Sequence, residues 1–218
     1  MKSEFNKRII SSFILFSILF LGALLNDYIF LSFMFIFIIL SWVEWIRIIE
    51  KINFNKFIKF IWMIIFLMYL FVSFVICFNV FLIDKYFFLT ILMICVSSDI
   101  GGYVIGKTFG GRKLTKISPK KTVAGSIGSF ILSYITFALI YFYFIDLLSI
   151  RMELMVFILV PLIVSLICQL GDLFISYFKR KAKIKNTGTI IPGHGGILDR
   201  IDGIIFALPL GFIIISLF

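Results

Sequence analysis

Residues 176–202 read SYFKRKAKIKNTGTIIPGHGGILDRID, and they lie between two long apolar runs of the chain. They contain six of the 21 lysines and arginines, the single histidine and two of the eleven acids. A membrane protein carries charges this densely only in water, at an interface or in a functional site. A basic cluster, a glycine-rich segment and a pair of acids follow one another. This order suits a phosphate ligand, because cations contact its oxygens, glycines allow close backbone approach and carboxylates hold a bridging metal.

The residue types and spacing of this stretch resemble the signature of the phosphatidate cytidylyltransferases, also called CDP-diacylglycerol synthases. The positions that match the family pattern are Ser176, Lys179, Arg180, Lys185, Pro192, His194, Gly195, Gly196, Asp199, Arg200 and Asp202. The chain departs from the pattern at Asn186, where the family usually has Asp, and at Ala124, where it commonly has Glu. The resemblance is specific over 176–202 and weaker upstream.

The composition indicates a membrane protein. The chain has 218 residues, of which 62% are hydrophobic, and its mean hydropathy is +1.16. A soluble domain of this size could not hide so much apolar surface. The three cysteines lie inside apolar runs and are expected to be free core or lipid-facing residues. The net charge of +10 is spread in a way that favours a membrane surface and anionic substrates over nucleic acid.

Apolar runs predict an all-α, polytopic membrane protein of roughly seven transmembrane helices, since a span needs about 20 apolar residues. The candidate spans are 9–25, 28–46, 60–83, 86–106, 123–145, 154–178 and 201–218. The first follows Lys7 and Arg8 but lacks a clear cleavage site, so a retained helix is expected rather than a signal peptide. We interpret 1–218 as a single integral membrane domain, with N-terminal helices in 1–83 and catalytic helices in 84–218.

The distribution of positive charge predicts the orientation. With seven alternating helices, every lysine and arginine except Lys85 and Arg151 falls on one side of the membrane. The positive-inside rule makes that side cytoplasmic. We therefore expect a cytoplasmic N-terminus, an outer C-terminus, an active site at the cytoplasmic face and, given the family, a bacterial inner (plasma) membrane.

Acids cluster near the predicted inner ends of the helices. Asp172 lies deep in an apolar run, with Ser176 one turn and Lys179 two turns further along the same helix face. Asp199 and Asp202 lie where the last helix is predicted to begin. The simpler interpretations are an intrahelical Asp172–Ser176 contact and capping of the last helix by the two later acids.

An upstream loop at 106–122 carries six cations and no acids. Asp99, Tyr103 and Gly106, followed by the run from Ser118 to Thr122, weakly resemble the same family, as does Trp42–Trp45 with its Glu44. Positive-inside charge alone is the simpler account of the loop, and aromatic residues are common at membrane interfaces. Residues 101–108 also fit the P-loop pattern literally, but an apolar run precedes them where a P-loop needs a buried strand.

The resemblance implies a membrane enzyme that joins CTP and phosphatidate into CDP-diacylglycerol and pyrophosphate. It implies Mg²⁺ as the cofactor and allows a potassium ion beside it. The implied metal ligands are Asp172 and Asp199, supported by Asp202 or Asp99, and these two main ligands act in catalysis with Lys179 and Ser176. The residues expected to bind substrate are Arg180, Lys185, His194, Gly195, Gly196, Arg200, Lys120, Lys121, Ser118 and Tyr103.

Two alternatives stay open at this point. A related CTP-dependent enzyme could act on another lipid phosphate or on a polyprenol. A transporter of an anionic solute would also use basic loops and intramembrane acids, but it requires charges along a full path, and the outer halves of the spans are nearly free of charge. His194 stands without a second histidine or a cysteine nearby, which argues against zinc. A homo-oligomer is left open.

The predicted topology can be tested by cysteine labelling. Lys183→Cys and Asn186→Cys should react with a membrane-impermeant reagent only after the cytoplasmic side is opened, because 179–200 is expected to be cytoplasmic. The native protein serves as the background control. Labelling of both positions from outside intact cells would contradict the orientation.

Overall fold

The computed structural model of the protein describes residue 22 and residues 26–143, 153–188 and 195–216. The helices in these ranges are α1 (Asp27–Lys51), α2 (Lys56–Ile83), α3 (Lys85–Phe109), α4 (Val123–Tyr143), α5 (Leu154–Lys181), α6 (Leu198–Ile201) and α7 (Ile204–Ile215). No β-strand is present in the described ranges; Lys113 and Thr122 form an isolated antiparallel bridge. The all-α prediction is confirmed.

Within the described residues, the five helices α1 to α5 are long and apolar enough to cross a membrane. They confirm an integral, polytopic membrane protein. The predicted span at 201–218 corresponds to α7, which has 12 residues and is shorter than the roughly 20 that a perpendicular span needs. The predicted span at 9–25 lies outside the described residues apart from Gly22. The total of seven spans therefore stays a prediction.

The chain groups into two compact units. The first consists of Met1–Phe78 and Phe178–Ile201, and the second of Asn79–Tyr177 and Asp202–Phe218. Helices α1 and α6 belong to the first unit, and α3, α4 and α7 to the second, while most of α2 and of α5 fall in the first and second unit respectively. The predicted division of one membrane domain at residue 83 stays a prediction.

An aromatic cluster holds the first unit together. Trp45 of α1 is fully buried and stacks on Phe66, with ring centroids 4.1 Å apart, while Phe178 packs against it at 4.8 Å. The indole nitrogen of Trp45 donates a hydrogen bond to the Trp62 carbonyl at 3.2 Å. Trp45 is thus a core residue with a satisfied polar atom rather than an interfacial anchor. Its packing fixes the part of α1 that carries Glu44.

Close contact between α3 and α4 organises the second unit. A Cβ atom added to Gly125 would lie 2.7 Å from the Gly102 carbonyl oxygen and 3.2 Å from the Cα of Gly106. The hydroxyl of Ser129 donates to the Ser98 carbonyl at 2.7 Å. Small residues that let two backbones touch, with hydroxyls bonded across them, are typical of membrane helix pairs. The P-loop match at 101–108 is therefore a stretch of packed helix.

The basic loop between α3 and α4 folds back on itself. Gly110 has φ +59° and lets the chain turn after α3. The Leu114 amide donates to the Lys121 carbonyl at 2.8 Å. Thr122 then caps α4, because its hydroxyl accepts a hydrogen bond from the Gly125 amide at 3.0 Å. These bonds place Lys121 at a defined position at the start of α4.

We predict that Gly128→Ala destabilises the protein. The added Cβ would lie 2.5 Å from the Ile105 Cβ and 2.8 Å from the Gly101 carbonyl oxygen, so α3 and α4 must separate. Overpacking of this kind costs about 1–3 kcal/mol. Thermal unfolding in detergent measures the loss, and Ile127→Ala, on an exposed position of the same helix, is the control. Equal melting temperatures for both variants would contradict the close packing.

Candidate active site

Glu44 is a fully buried acid in the first unit. Its Oε1 accepts a hydrogen bond from the Ile197 amide at 2.9 Å. Its Oε2 accepts from the Leu198 amide at 2.9 Å and from the Thr187 hydroxyl at 2.5 Å. The amides at the start of a helix have no acceptor within it. Glu44 therefore satisfies the N-terminus of α6 from a different helix, and these donors stabilise its own buried carboxylate.

Asp199 lies on α6 and is enclosed by donors from the same unit. Its Oδ1 accepts a hydrogen bond from the Lys179 ammonium at 2.9 Å. Its Oδ2 accepts from the Thr187 amide at 2.7 Å and from the Gly196 amide at 3.0 Å. The side chains of Lys179 and Asp199 are only 9% and 8% exposed, so this ion pair is nearly buried. The predicted catalytic residues Lys179 and Asp199 are thus brought into direct contact.

Two glycines of the signature are required by this packing. Gly195 has φ +100°, and a Cβ there would lie 2.6 Å from Oδ2 of Asp199. A Cβ on Gly196 would collide with the Thr187 hydroxyl and with Oε2 of Glu44. The backbone must therefore approach two protein carboxylates closely. Contact of these glycines with a phosphate stays a prediction.

A second acid–base pair forms in the second unit. Lys121, at the end of the basic loop, makes an ion pair with Oδ2 of Asp172 on α5. The Ser176 hydroxyl donates to Oδ1 of Asp172 at 3.1 Å, so the intrahelical contact that was the simpler of the two interpretations is present. The side chains of Lys121 and Asp172 are 28% and 24% exposed. This pair is more open to solvent than the Lys179–Asp199 pair.

The two remaining candidate metal ligands lie beside Cys168 of α5 in the second unit. Asp99 is exposed, and its Oδ1 is 4.0 Å from the Cys168 sulfur. Asp202 is buried, and its Oδ1 accepts from the Gly203 amide at 3.1 Å. The turn at 202–203 packs on α5, because a Cβ on Gly203 would lie 2.5 Å from the Cys168 sulfur.

The prediction that Asp199 and Asp202 open the last helix is wrong. Asp199 lies on the separate helix α6, which ends at Ile201, and α7 begins at Ile204. The chain breaks there because the amides at the start of α6 bond to Glu44, while Asp202 and Gly203 form a turn packed on α5. The two acids consequently have different surroundings.

The other predicted substrate contacts are mostly exposed. Arg180, Lys185, Arg200, Lys120 and Tyr103 are exposed, and Ser118 is half-buried. His194 lies outside the described residues. In the ranges that the structure describes, no group of three or more His, Cys, Asp or Glu side chains is arranged to hold a metal ion. The roles of these residues and the magnesium ion stay predictions.

Sequence reasoning assigned neither Glu44 nor Thr187 a catalytic, metal-binding or substrate-binding role, although Glu44 is one of the acids near the predicted inner helix ends. The signal for Glu44 was the run from Trp42 to Trp45, which is also explained by an interfacial position. Thr187 lies within 176–202 but is not among the positions that match the family pattern. The partner of neither residue can be predicted from a local motif, because the hydrogen bond between them joins positions 143 residues apart.

Comparisons with known proteins agree with the resemblance in the sequence. Residues 54–218 match the model of the Cytidylyltransferase family. The chain is 45% identical over 136 residues to a phosphatidate cytidylyltransferase of Rickettsia bellii, covering 60% of this chain and 58% of the relative. It is 37% identical over 150 residues to a phosphatidate cytidylyltransferase of Bacillus subtilis, covering 65% and 54% respectively. The matched part thus spans little more than half the length of these curated relatives.

We predict that the two ion pairs differ in their contribution to stability. Lys179→Met should destabilise the protein by about 3–5 kcal/mol, because it leaves the nearly buried Asp199 carboxylate without its cation. Lys121→Met should cost less than this, because its pair with Asp172 is partly exposed and solvent screens the charge that is left. Thermal unfolding of both variants in the same detergent measures the difference. Equal losses would show that burial does not distinguish the two pairs.

Proposed function

Because the chain belongs to the cytidylyltransferase family, we propose that it transfers the cytidylyl group of CTP to phosphatidate, giving CDP-diacylglycerol and pyrophosphate. The observation that carries this proposal is that two acids within 172–202 are each paired with a lysine. Asp172 and Asp199 are each held by a lysine and by further hydrogen-bond donors. Fixed carboxylates with cations beside them suit a reaction among several phosphate groups. The relatives named above carry the same activity in their names.

The proposed reaction depends more on the alignment of the two substrates than on a general base. The attacking oxygen is that of the phosphatidate phosphate, which is already anionic, and it attacks the α-phosphorus of CTP as pyrophosphate leaves. The protein then has to hold two anions together and neutralise the charge that develops. Lys179 is held by Asp199 and Lys121 by Asp172, so each is a fixed cation that suits a phosphate oxygen. Exposed cations extend the binding of phosphates, namely Arg180, Lys185, Arg200 and Lys120.

The donor set fits a magnesium ion by its chemistry. Mg²⁺ prefers carboxylate oxygens and commonly takes one or two from the protein. We propose Asp172 and Asp199 as ligands, with Asp202 or Asp99 in support, and a potassium ion as a further candidate. Bound Mg²⁺ supplies charge neutralisation on the phosphates. The partial exposure of Asp172 leaves its carboxylate accessible to an ion.

The apolar helices provide for the lipid substrate. Large hydrophobic side chains are exposed along the candidate spans, as at Phe71, Ile131 and Leu170. In a bilayer they contact acyl chains, so the tails of phosphatidate stay in the membrane while its head group meets CTP. We propose that this occurs at the cytoplasmic face, on the basis of the charge asymmetry, and in a bacterial inner membrane, on the basis of the bacterial relatives. His194, Gly195 and Gly196, with Ser118 and Tyr103, complete the proposed substrate contacts.

The proposal is tested with purified protein in mixed micelles that contain phosphatidate, CTP labelled in the cytidine and Mg²⁺. The expected products are labelled CDP-diacylglycerol and one pyrophosphate for each molecule formed. Replacing phosphatidate by a polyprenol or by another lipid phosphate tests the related reactions. Product from these alone would overturn the choice of substrate. Anion flux through proteoliposomes without CTP turnover would indicate a transporter instead.

We predict that Asp172→Asn and Asp199→Asn each abolish product formation in this assay while the protein stays folded in detergent. Asp199→Asn should lower the unfolding temperature as well, because it leaves the nearly buried Lys179 ammonium without its anion. The double variant should be little worse than either single variant, because residues that act as a unit are non-additive. Gel filtration and thermal unfolding check the fold, and Asp84→Asn, outside the proposed site, is the control. Near-normal Mg²⁺-dependent activity in either single variant would move the metal site to Asp99 and Asp202.

A further inference from the structure

Glu44 lies outside the range that matches the family model, which begins at residue 54. It is nevertheless the acid with which the first unit holds the signature segment. Its hydrogen-bond partners lie 143 to 154 residues further along the chain. A fully buried carboxylate is costly unless it is paired or bonded to several donors. Three donors converge on this one, two of them backbone amides at the start of α6.

Thr187 connects this carboxylate to Asp199. Its hydroxyl oxygen is 2.5 Å from Oε2 of Glu44 and 3.1 Å from Oδ2 of Asp199. A threonine hydroxyl has a single hydrogen to donate, and the shorter distance assigns it to Glu44. The backbone amide of the same residue donates to Asp199 at 2.7 Å. Glu44 thus fixes the Thr187 side chain, and the Thr187 amide fixes one oxygen of Asp199.

We propose that Glu44 is a positioning residue for the reaction. It holds Thr187 and the start of α6 so that Asp199 keeps its place against Lys179. It does this without touching CTP, lipid or metal. This inference rests on the proposed function, since it gives Glu44 a role in the geometry of a residue proposed to act there. A misplacement of about 1 Å at such a residue can lower turnover a hundredfold.

The role requires a carboxylate rather than any polar side chain of this size. Both oxygens of Glu44 accept from donors, so no hydrogen-bearing group fits at either position. A glutamine offers one acceptor oxygen, and its NH₂ group would face an amide N–H. Glu44→Gln therefore changes the hydrogen bonding without changing volume. Glu44→Asp keeps both acceptor oxygens but withdraws them by one methylene.

The test compares Glu44→Gln with Glu50→Gln in the assay for CDP-diacylglycerol. Glu50 is an exposed acid on the same helix and is the matched control. Glu44→Gln should lower kcat by about tenfold to a hundredfold per folded molecule. The KM for phosphatidate should change little, because no substrate contact is removed. Glu44→Asp should recover part of kcat, and Glu50→Gln should behave as the native protein.

Amide hydrogen exchange gives a readout that does not depend on activity. The amides of Thr187, Gly196, Ile197 and Leu198 should exchange faster in Glu44→Gln than in Glu50→Gln. If Glu44→Gln fails to fold, Thr187→Val takes its place, since it removes the hydroxyl bond without touching the buried acid. Thr187→Val should likewise lower kcat with little change in KM.

These measurements distinguish failure of the proposed function from failure of the positioning role. Native protein that makes no CDP-diacylglycerol overturns the proposed function, and the positioning role falls with it. Native protein that is active, with Glu44→Gln or Thr187→Val matching Glu50→Gln in kcat for each folded molecule, overturns the positioning role alone. A Glu44→Gln variant with faster exchange but native kcat has the same meaning. In that case the acid stabilises the loop and has no effect on the reaction.

Discussion

The first unit depends on one buried carboxylate. Glu44 accepts hydrogen bonds from the Thr187 hydroxyl and from the amides of Ile197 and Leu198, and no solvent reaches it. Leaving these groups unsatisfied in the interior would cost about 1–3 kcal/mol for each. The segment that carries the charged signature therefore has a strong reason to adopt one arrangement. The aromatic packing of Trp45 on Phe66 and Phe178 holds the carboxylate where that segment meets it.

In each of the two acid–lysine pairs a carboxylate charge is stabilised by a lysine and by hydrogen-bond donors, but the two pairs differ in burial. In the first unit, Lys179 and Asp199 are nearly buried, and backbone amides complete the coordination of the carboxylate. In the second unit, Lys121 and Asp172 are partly exposed, and a serine hydroxyl completes it. A buried pair fixes geometry at the cost of desolvation. A more open pair exchanges its partner more easily, which suits a carboxylate proposed to receive a metal ion.

Small residues let the second unit form. The contact between α3 and α4 leaves no room for a Cβ at Gly101, Gly125 or Gly128. The helices therefore meet backbone to backbone, and the basic loop that joins them folds back on itself. The Thr122 cap then sets the start of α4, with Lys121 beside it. A run of residues that resembles a nucleotide-binding loop in sequence thus serves helix packing instead, and it positions a lysine only indirectly.

Local features of the sequence determined the fold class and the positions of the candidate spans. Hydrophobic runs of sufficient length form helices in a bilayer, because an unpaired backbone N–H or C=O is costly in lipid and a helix pairs these groups within the segment. The sequence also offered the Asp172–Ser176 contact as the simpler interpretation of these residues, since residues one helical turn apart are neighbours. The candidate acids and cations were found because their types and spacing resemble a known signature, and residue type and spacing can be compared without a structure.

Tertiary structure alone decided which charges meet. The sequence placed Lys121 with the phosphate-binding cations, and the folded basic loop pairs it with Asp172. It grouped Asp199 with Asp202, and the helix break at Ile201 separates their surroundings. It gave no partner for Glu44, because the hydrogen bonds of this residue cross more than 140 positions. Such partners depend on how distant segments pack, and neither periodicity nor a short motif contains that information.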